Sequence, residues 1–318
     1  MCATLKRTRL GVREREGLPL SQRRNMVTQQ RRDHATRPEH VCHPLAAAKA
    51  DHDIGVEMRA IQPIRLLMDS PRSGAENMAI DEAMLLWADS GGEATLRLYS
   101  WSQPTVSLGY FQKGADWRGQ VGPPAALPAV RRITGGGAII HADELTYSLA
   151  LPLAGPHLAA LGGGEHVTGL YKSIHAAIAG AAASLGAQAG AISSAGGGAE
   201  AAAGGRAEEA FLCFARRSRY DLVAGGRKLV GSAQRCLSHA VLQHGSVVLR
   251  ANDVGDGAAG LADVLGRAVT WDEFAQALLA ELAQRGLDLE PGELSQAERA
   301  SLDGLLTKHR SQEWLERR

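Results

Sequence analysis

The spacing of apolar positions changes several times along this 318-residue chain, and each change marks an element. The first regular stretch opens at IQPIRLLMDS. Behind it Ser73 and Glu76 carry the S-x-x-E spacing of a capping box, which satisfies free N–H groups at a helix start. Ile80, Ala83, Met84 and Trp87 then fall at i, i+3, i+4 and i+7, predicting a helix with one buried face that Gly91-Gly92 ends. Further on, TLRLYSW, PTVSLGYF, LTYSLAL, RYDLVAG, RKLVG and AVLQHGSVVL read as strands, with a helix around Tyr171 to Leu185 between the third and fourth. Beyond about residue 260 the period turns helical. There Thr270 with Glu273 and Ser295 with Glu298 read as two more capping boxes.

These patterns divide the chain. Residues 1–60 show no sustained apolar period and hold twelve Lys and Arg against seven Asp and Glu, so they read as a disordered basic extension. Met26 or Met58 would each serve as a later start. Residues 61–260 read as the main folded domain and 261–318 as a C-terminal helical flank. Within the domain, residues 187–210 are almost all Gly, Ala, Ser and Glu, a composition that predicts a flexible loop. A net charge of +1 gives no reason to expect nucleic acid as a partner. No apolar run reaches the length of a membrane span. Four scattered cysteines, Cys2, Cys42, Cys213 and Cys236, form no CxxC pair, which suits free thiols in a reducing cytoplasm and argues against a disulfide scaffold or a zinc site.

Two segments could carry chemistry. In VRRITGGGAIIHADELTYSLALP (130–152), Gly135, Gly136 and Gly137 lie between strand-like runs, where backbone N–H groups can approach a carboxylate, phosphate or acyl carbonyl without side-chain obstruction. A tight hairpin would explain the same triplet. Arg131 and Arg132 add charge beside it. In CFARRSRYDLVAGGRKLVGSAQR (213–235), a turn at Gly225-Gly226 would bring Cys213 and Lys228 to one end of a sheet, an arrangement that suits a nucleophile and a base. Taken singly, such a cysteine is more often a small buried hydrophobe and such a lysine a solvated cation. His239 and His244 are five apart, which on a strand means opposite faces and no metal pair. Cys236 reads as packing, and Glu76, Asp81 and Glu82 as capping or solvated helix positions. Arg97 shares a strand face with Thr95 and Tyr99 and is a candidate to point at the site.

Together SGAENMAIDEAML (73–85), TLRLYSWSQPTVSLGYFQ (95–112), VRRITGGGAIIHADELTYSL (130–149), CFARRSRYDLVAGGRKLVGSAQR (213–235) and LQHGSVVL (242–249) resemble the biotin/lipoate ligase and octanoyltransferase superfamily. Within it they are most similar to the cysteine-dependent octanoyltransferases of lipoate biosynthesis. The terminal KHRSQEWL (308–315) resembles the ending of the lipoate ligases. The resemblance implies an α+β fold, a mixed and largely antiparallel sheet flanked by helices, like the core of class II aminoacyl-tRNA synthetases. It also implies an acyl tunnel beneath the glycine turn.

The resemblance further implies that Cys213 carries the acyl group and that Lys228 is the superfamily lysine. Arg132, Gly135, Gly136, Gly137, His141 and Arg97 would then bind substrate. The implied reaction needs no cofactor or metal. It moves octanoyl from acyl carrier protein to a lysine of a lipoyl domain or of glycine-cleavage H protein. The chain departs from the octanoyltransferase pattern at Gly137, where an arginine is usual, and at Ala142, where an aspartate is usual. Those departures keep open an ATP-dependent lipoate–protein ligase. An amidotransferase acting between lipoyl-domain proteins, and a silent subunit that only recognises lipoyl domains, are the further alternatives.

Overall fold

The structure, a computed structural model, describes residues 63–119, 123–163, 167–188, 192–194, 212, 221–251 and 258–317. In chain order these form β1 (Ile64–Met68), α1 (Gly74–Asp89), β2 (Thr95–Tyr99), β3 (Thr105–Leu108), α2 (Gly114–Arg118), α3 (Pro123–Ala126), β4 (Ala129–Arg131), β5 (Ile139–His141) and β6 (Glu144–Pro152). There follow α4 (Pro156–Ala160), α5 (Thr168–Ser184), β7 (Ile192–Ser194), β8 (Leu222–Ala224), β9 (Arg227–Cys236) and β10 (Ala240–Val248). The last elements are α6 (Leu261–Leu265), α7 (Trp271–Gln284), β11 (Leu289–Pro291), α8 (Gln296–Arg310) and α9 (Gln312–Glu316).

Eight strands make the main sheet, in the order β11-β1-β2-β6-β10-β9-β8-β7. β1 runs parallel to both neighbours, and every pairing from β2 onward is antiparallel. Alternation along β6 sorts its side chains to two faces. Leu145, Tyr147, Leu149 and Leu151 join Leu170, Ile174 and Ile178 of α5 and Phe274, Leu278 and Leu282 of α7 in the larger core. Burying each such side chain contributes roughly 1.5–3 kcal/mol. On the other face Ala150 and Leu242 pack with Ile80, Met84 and Leu85 of α1. A three-stranded sheet, β4-β3-β5, carries the segments on either side of the glycine turn.

The helix predicted from Ser73 is α1, and its capping box is complete. Trp87 is only half-buried, and Leu85 and Ala88 extend the inner face instead. At α7 only half of the expected box forms. Thr270 Oγ1 accepts from the Glu273 N–H, but the Glu273 carboxylate reaches Arg267 at 2.7 Å rather than turning back. Ser295 and Glu298 close a full box, and Glu298 also receives the buried Arg65 guanidinium at 2.6 Å. Residues 261–318 are more than helices, because β11 adds an edge strand beside β1. Of the expected loop 187–210, Ile192–Ser194 form the opposite edge strand. No helix among the described residues is long and apolar enough to cross a membrane.

Candidate functional site

The turn between β4 and β5 is held from both sides. Gly136 takes φ +92°, a left-handed conformation that favours glycine. A Cβ on Gly109, just after β3, would lie 2.0 Å from the Gly136 carbonyl oxygen, so two glycine backbones touch here. Arg132 grips the turn. Its Nη2 donates to the carbonyls of Gly135 and Gly137 at 2.6 and 2.7 Å, and its Nη1 to the Ser107 carbonyl at 2.8 Å. Arg131 points the other way. It donates to the carbonyls of Gly109 and Gln112 and, at 2.6 Å, to that of Leu315 in α9. Trp314 returns a bond from Nε1 to the Arg131 carbonyl.

Between the two sheets lies a small, mostly apolar cavity. From the small sheet and the turn it is lined by Ser107, Arg132, Gly136, Ile139 and His141. The main sheet contributes Tyr99, Thr146, Gly231–Ala233 and His244–Ser246, and α1 contributes Met78.

Two histidines in this wall are each held between a carboxylate and a hydroxyl. His141 meets Glu144 Oε1 through Nδ1 at 2.6 Å and Ser107 Oγ through Nε2 at 2.7 Å. Its ring stacks on Trp101 at 3.8 Å. Glu144 also accepts from the hydroxyls of Thr146 and Ser246. His244 meets Asp81 Oδ2 through Nδ1 at 3.0 Å and Thr134 Oγ1 through Nε2 at 2.6 Å. Burial pushes the His244 imidazole below its usual range, with the Asp81 contact opposing only in part. Burial opposes ionisation of Asp81 too, yet the His244 bond and the Arg97 charge outweigh it and hold its carboxyl below the usual carboxylate range.

Lys228 lies in β9, after the expected Gly225-Gly226 turn, and is 3% exposed rather than solvated. Its Nζ is 2.9 Å from Asp221 Oδ2. Asp221 Oδ1 accepts from the Tyr171 hydroxyl, which in turn receives the Ser232 N–H. Ser232 Oγ then meets His175 and Tyr147 at 2.8 and 2.7 Å. Lys228 is therefore tied through this chain to Ser232 in the cavity wall. Burial pushes the Tyr147 phenol up to about 12, against the hydrogen bonds to Ser232 and Gln243, so it remains protonated.

The structure thus brings Arg132, Gly136 and His141 to one cavity, with Gly135 and Gly137 in the turn beside it. Arg97 stands behind that wall. Fully buried, it binds Asp69 at 2.8 Å, Asp81 at 2.9 Å and the side chain of Asn77 at 2.7 Å, and its guanidinium lies over the Tyr99 ring.

Asp81 corrects the solvated-helix reading. It is 1% exposed and accepts from Arg97, Tyr99 and Ser148 as well as meeting His244. Glu82 is likewise paired, with Lys308 and His309. The sequence does not single out His244, because its spacing from His239 argues only against a metal pair. The signal was its inward position between Leu242 and Ser246 in an otherwise buried strand. Among the described residues no His, Cys, Asp or Glu cluster could hold a metal. Cys236 packs against the main core and is disulfide-bonded, which the expectation of free thiols did not foresee. Cys213 lies outside the described residues. Its predecessor Leu212 forms a bridge with Ala138, next to Gly137.

Residues 73–283 match the model of the lipoyl protein ligase A/B catalytic domain. The protein named octanoyltransferase LipM in Exiguobacterium sp. is 34% identical over 276 residues, covering 80% of this chain and 98% of that one. The protein of the same name in Moorella thermoacetica is 36% identical over 282 residues, with the same coverage. Among solved structures, lipoate-protein ligase A bound with ATP superposes with a TM-score of 0.61 at 20% identity, covering 80% of this chain and 99% of that one. A chain from the structural analysis of a bi-partite lipoate protein ligase and its E2 lipoyl domain from Thermoplasma acidophilum gives 0.59 at 19% identity, covering 80% and 96%. The fold is the expected one, a mixed and largely antiparallel sheet flanked by helices. With that model spanning well over half of the chain and relatives of 34% and 36% identity covered almost end to end, the chain belongs to the lipoyl protein ligase A/B catalytic-domain family.

Proposed function

We propose that this protein is an octanoyltransferase that moves octanoyl from acyl carrier protein to a lysine of a lipoyl domain or glycine-cleavage H protein, through a thioester on Cys213. The carrying observation is the mostly apolar wall between the sheets, bounded by the glycine turn and including Met78, Tyr99 and Ile139, a surface against which an acyl chain can pack. The name shared by the relatives from Exiguobacterium and Moorella supports the same activity. So does the bridge from Leu212, the residue before Cys213, to the edge of the glycine turn.

In this reading the Cys213 thiolate attacks the octanoyl thioester and the carrier thiol leaves. Backbone N–H groups of the turn stabilise the oxyanion, an interaction worth about 3 kcal/mol per donor in measured cases. The target lysine amine then attacks the acyl-enzyme, loses a proton, and releases the Cys213 thiolate as the amide forms. Lys228, buried against Asp221, supplies positive charge to the site.

A thioester is already activated, so the reaction requires no ATP. Purified protein incubated with octanoyl-carrier protein should gain one octanoyl mass, and Cys213→Ala should lose both that adduct and transfer to H protein. Lipoate attachment that needs ATP and survives Cys213→Ala would replace this reading with the ligase. Gly137, standing where the octanoyltransferases usually carry arginine, favours that alternative.

A further inference from the structure

We propose that the chains Asp81–His244–Thr134 and Glu144–His141–Ser107 are paired positioning relays that fix the direction of the hydrogen bonds around the glycine turn. The inference rests on the acyl-transfer reading for its effect on rate, but not for its geometry.

The direction of each relay follows from what its members can do. An ionised carboxylate only accepts hydrogen bonds, so the histidine nitrogen facing it must carry the proton. In both histidines that nitrogen is Nδ1, at 3.0 Å from Asp81 and 2.6 Å from Glu144. A neutral imidazole then has a bare Nε2, which only accepts. Thr134 must therefore donate to His244, and Ser107 to His141, at 2.6 and 2.7 Å. With its proton committed, Ser107 Oγ presents a lone pair to Arg132 Nη1 at 3.2 Å. The same guanidinium holds the Gly135 and Gly137 carbonyls. A trans peptide sets the next N–H opposite its carbonyl, so the Gly136 N–H points away from Arg132.

One relay thus ends on the residue just before the turn and the other on the arginine that clamps it. Both imidazoles line the cavity. Asp81 and Glu144 touch no reacting atom in this arrangement, and neither does Thr134. They act through the turn, by holding one orientation of its amides against the alternatives.

The test pairs a spectroscopic readout with kinetics. Nitrogen-15 histidine spectra of the wild-type protein near neutral pH should show His244 neutral and protonated on Nδ1, and a proton on Nδ1 of His141. Thr134→Val keeps the shape of the side chain but removes the donor, and Thr134→Ser keeps the donor. Thr134→Val should lose at least about tenfold in kcat for octanoyl transfer while KM for the donor moves by less than about twofold, the split expected of an interaction made only in the transition state. Thr134→Ser should restore most of the rate. Ser107→Ala should show the same split, and it serves if Thr134→Val fails to fold. An Nε2-protonated tautomer at His244, or equal rates for Thr134→Val, Thr134→Ser and wild type, would overturn the proposal. If wild type transfers no octanoyl at all, the acyl-transfer reading fails, and the nitrogen spectra still decide the relay.

Discussion

Lys228 Nζ lies 2.9 Å from Asp221 Oδ2, and both side chains are almost wholly buried. Removing one member of such a pair strands the other charge, at a cost of about 3–5 kcal/mol. Lys228→Ala is therefore expected to lower the urea midpoint strongly as well as to abolish transfer. Adding Asp221→Asn should recover much of the stability and none of the activity. Recovered transfer in that double variant would limit Lys228 to a structural role.

Acid should loosen the fold through Asp81 and His244. Both have folded-state values below their ordinary ones, Asp81 because His244 and Arg97 outweigh the effect of burial, and His244 because it is buried. For each group, between its folded and unfolded values, the unfolded chain binds a proton that the folded chain does not, so stability rises with pH. It is fully present above the ordinary imidazole value of 6.5 and is lost on the way down, first through His244 and then, below 3.8, through Asp81. Urea midpoints measured from about pH 7 to about pH 5 should fall for wild type and fall less for His244→Gln. Parallel slopes would assign the effect to other groups.

Gly109→Ala places a methyl group 2.0 Å from the Gly136 carbonyl oxygen, and backbone must move to admit it. The expected cost is about 1–3 kcal/mol, the range for overpacking. Transfer should fall by more than the lost stability explains, since the displaced atoms belong to the turn. Unchanged kcat in a correctly folded Gly109→Ala would show that the turn tolerates displacement.

Trp314→Ala removes the Nε1 donor to the Arg131 carbonyl and the ring that lies beneath Lys308. It should lower the melting temperature and raise proteolysis around α9 before it affects the rest of the sheet. Limited digestion followed by mass spectrometry would show that order. Uniform cleavage across the domain would contradict it.

Much of the fold was legible because alternation and capping are local. LTYSLAL and AVLQHGSVVL became β6 and β10, and S-x-x-E marked the starts of α1 and α8. β11 was not legible, since three residues at a sheet edge carry no period and their place depends on β1, more than two hundred residues earlier. At the site, the turn and Lys228 were found as contiguous motifs. Asp81 and Thr134 were not, because nothing in their own segments shows the partner. Asp81 and His244 are 163 positions apart and meet only when α1 packs on β10. Arg97 was seen as inward-pointing, but its partners Asp69 and Asp81 decide what it does there.

The grip of Arg131 on Leu315 spans 184 positions and joins the glycine turn to the far end of the fold. Until Leu315 and Trp314 arrive, a guanidinium destined for burial lacks acceptors that water must supply instead. The turn should therefore remain loose in a half-made chain and set late, when α9 closes on it. Contacts of such sequence separation form slowly. Sheet formation and site competence should accordingly be separable in time, with refolding chains regaining strand signal before they bind an acyl chain.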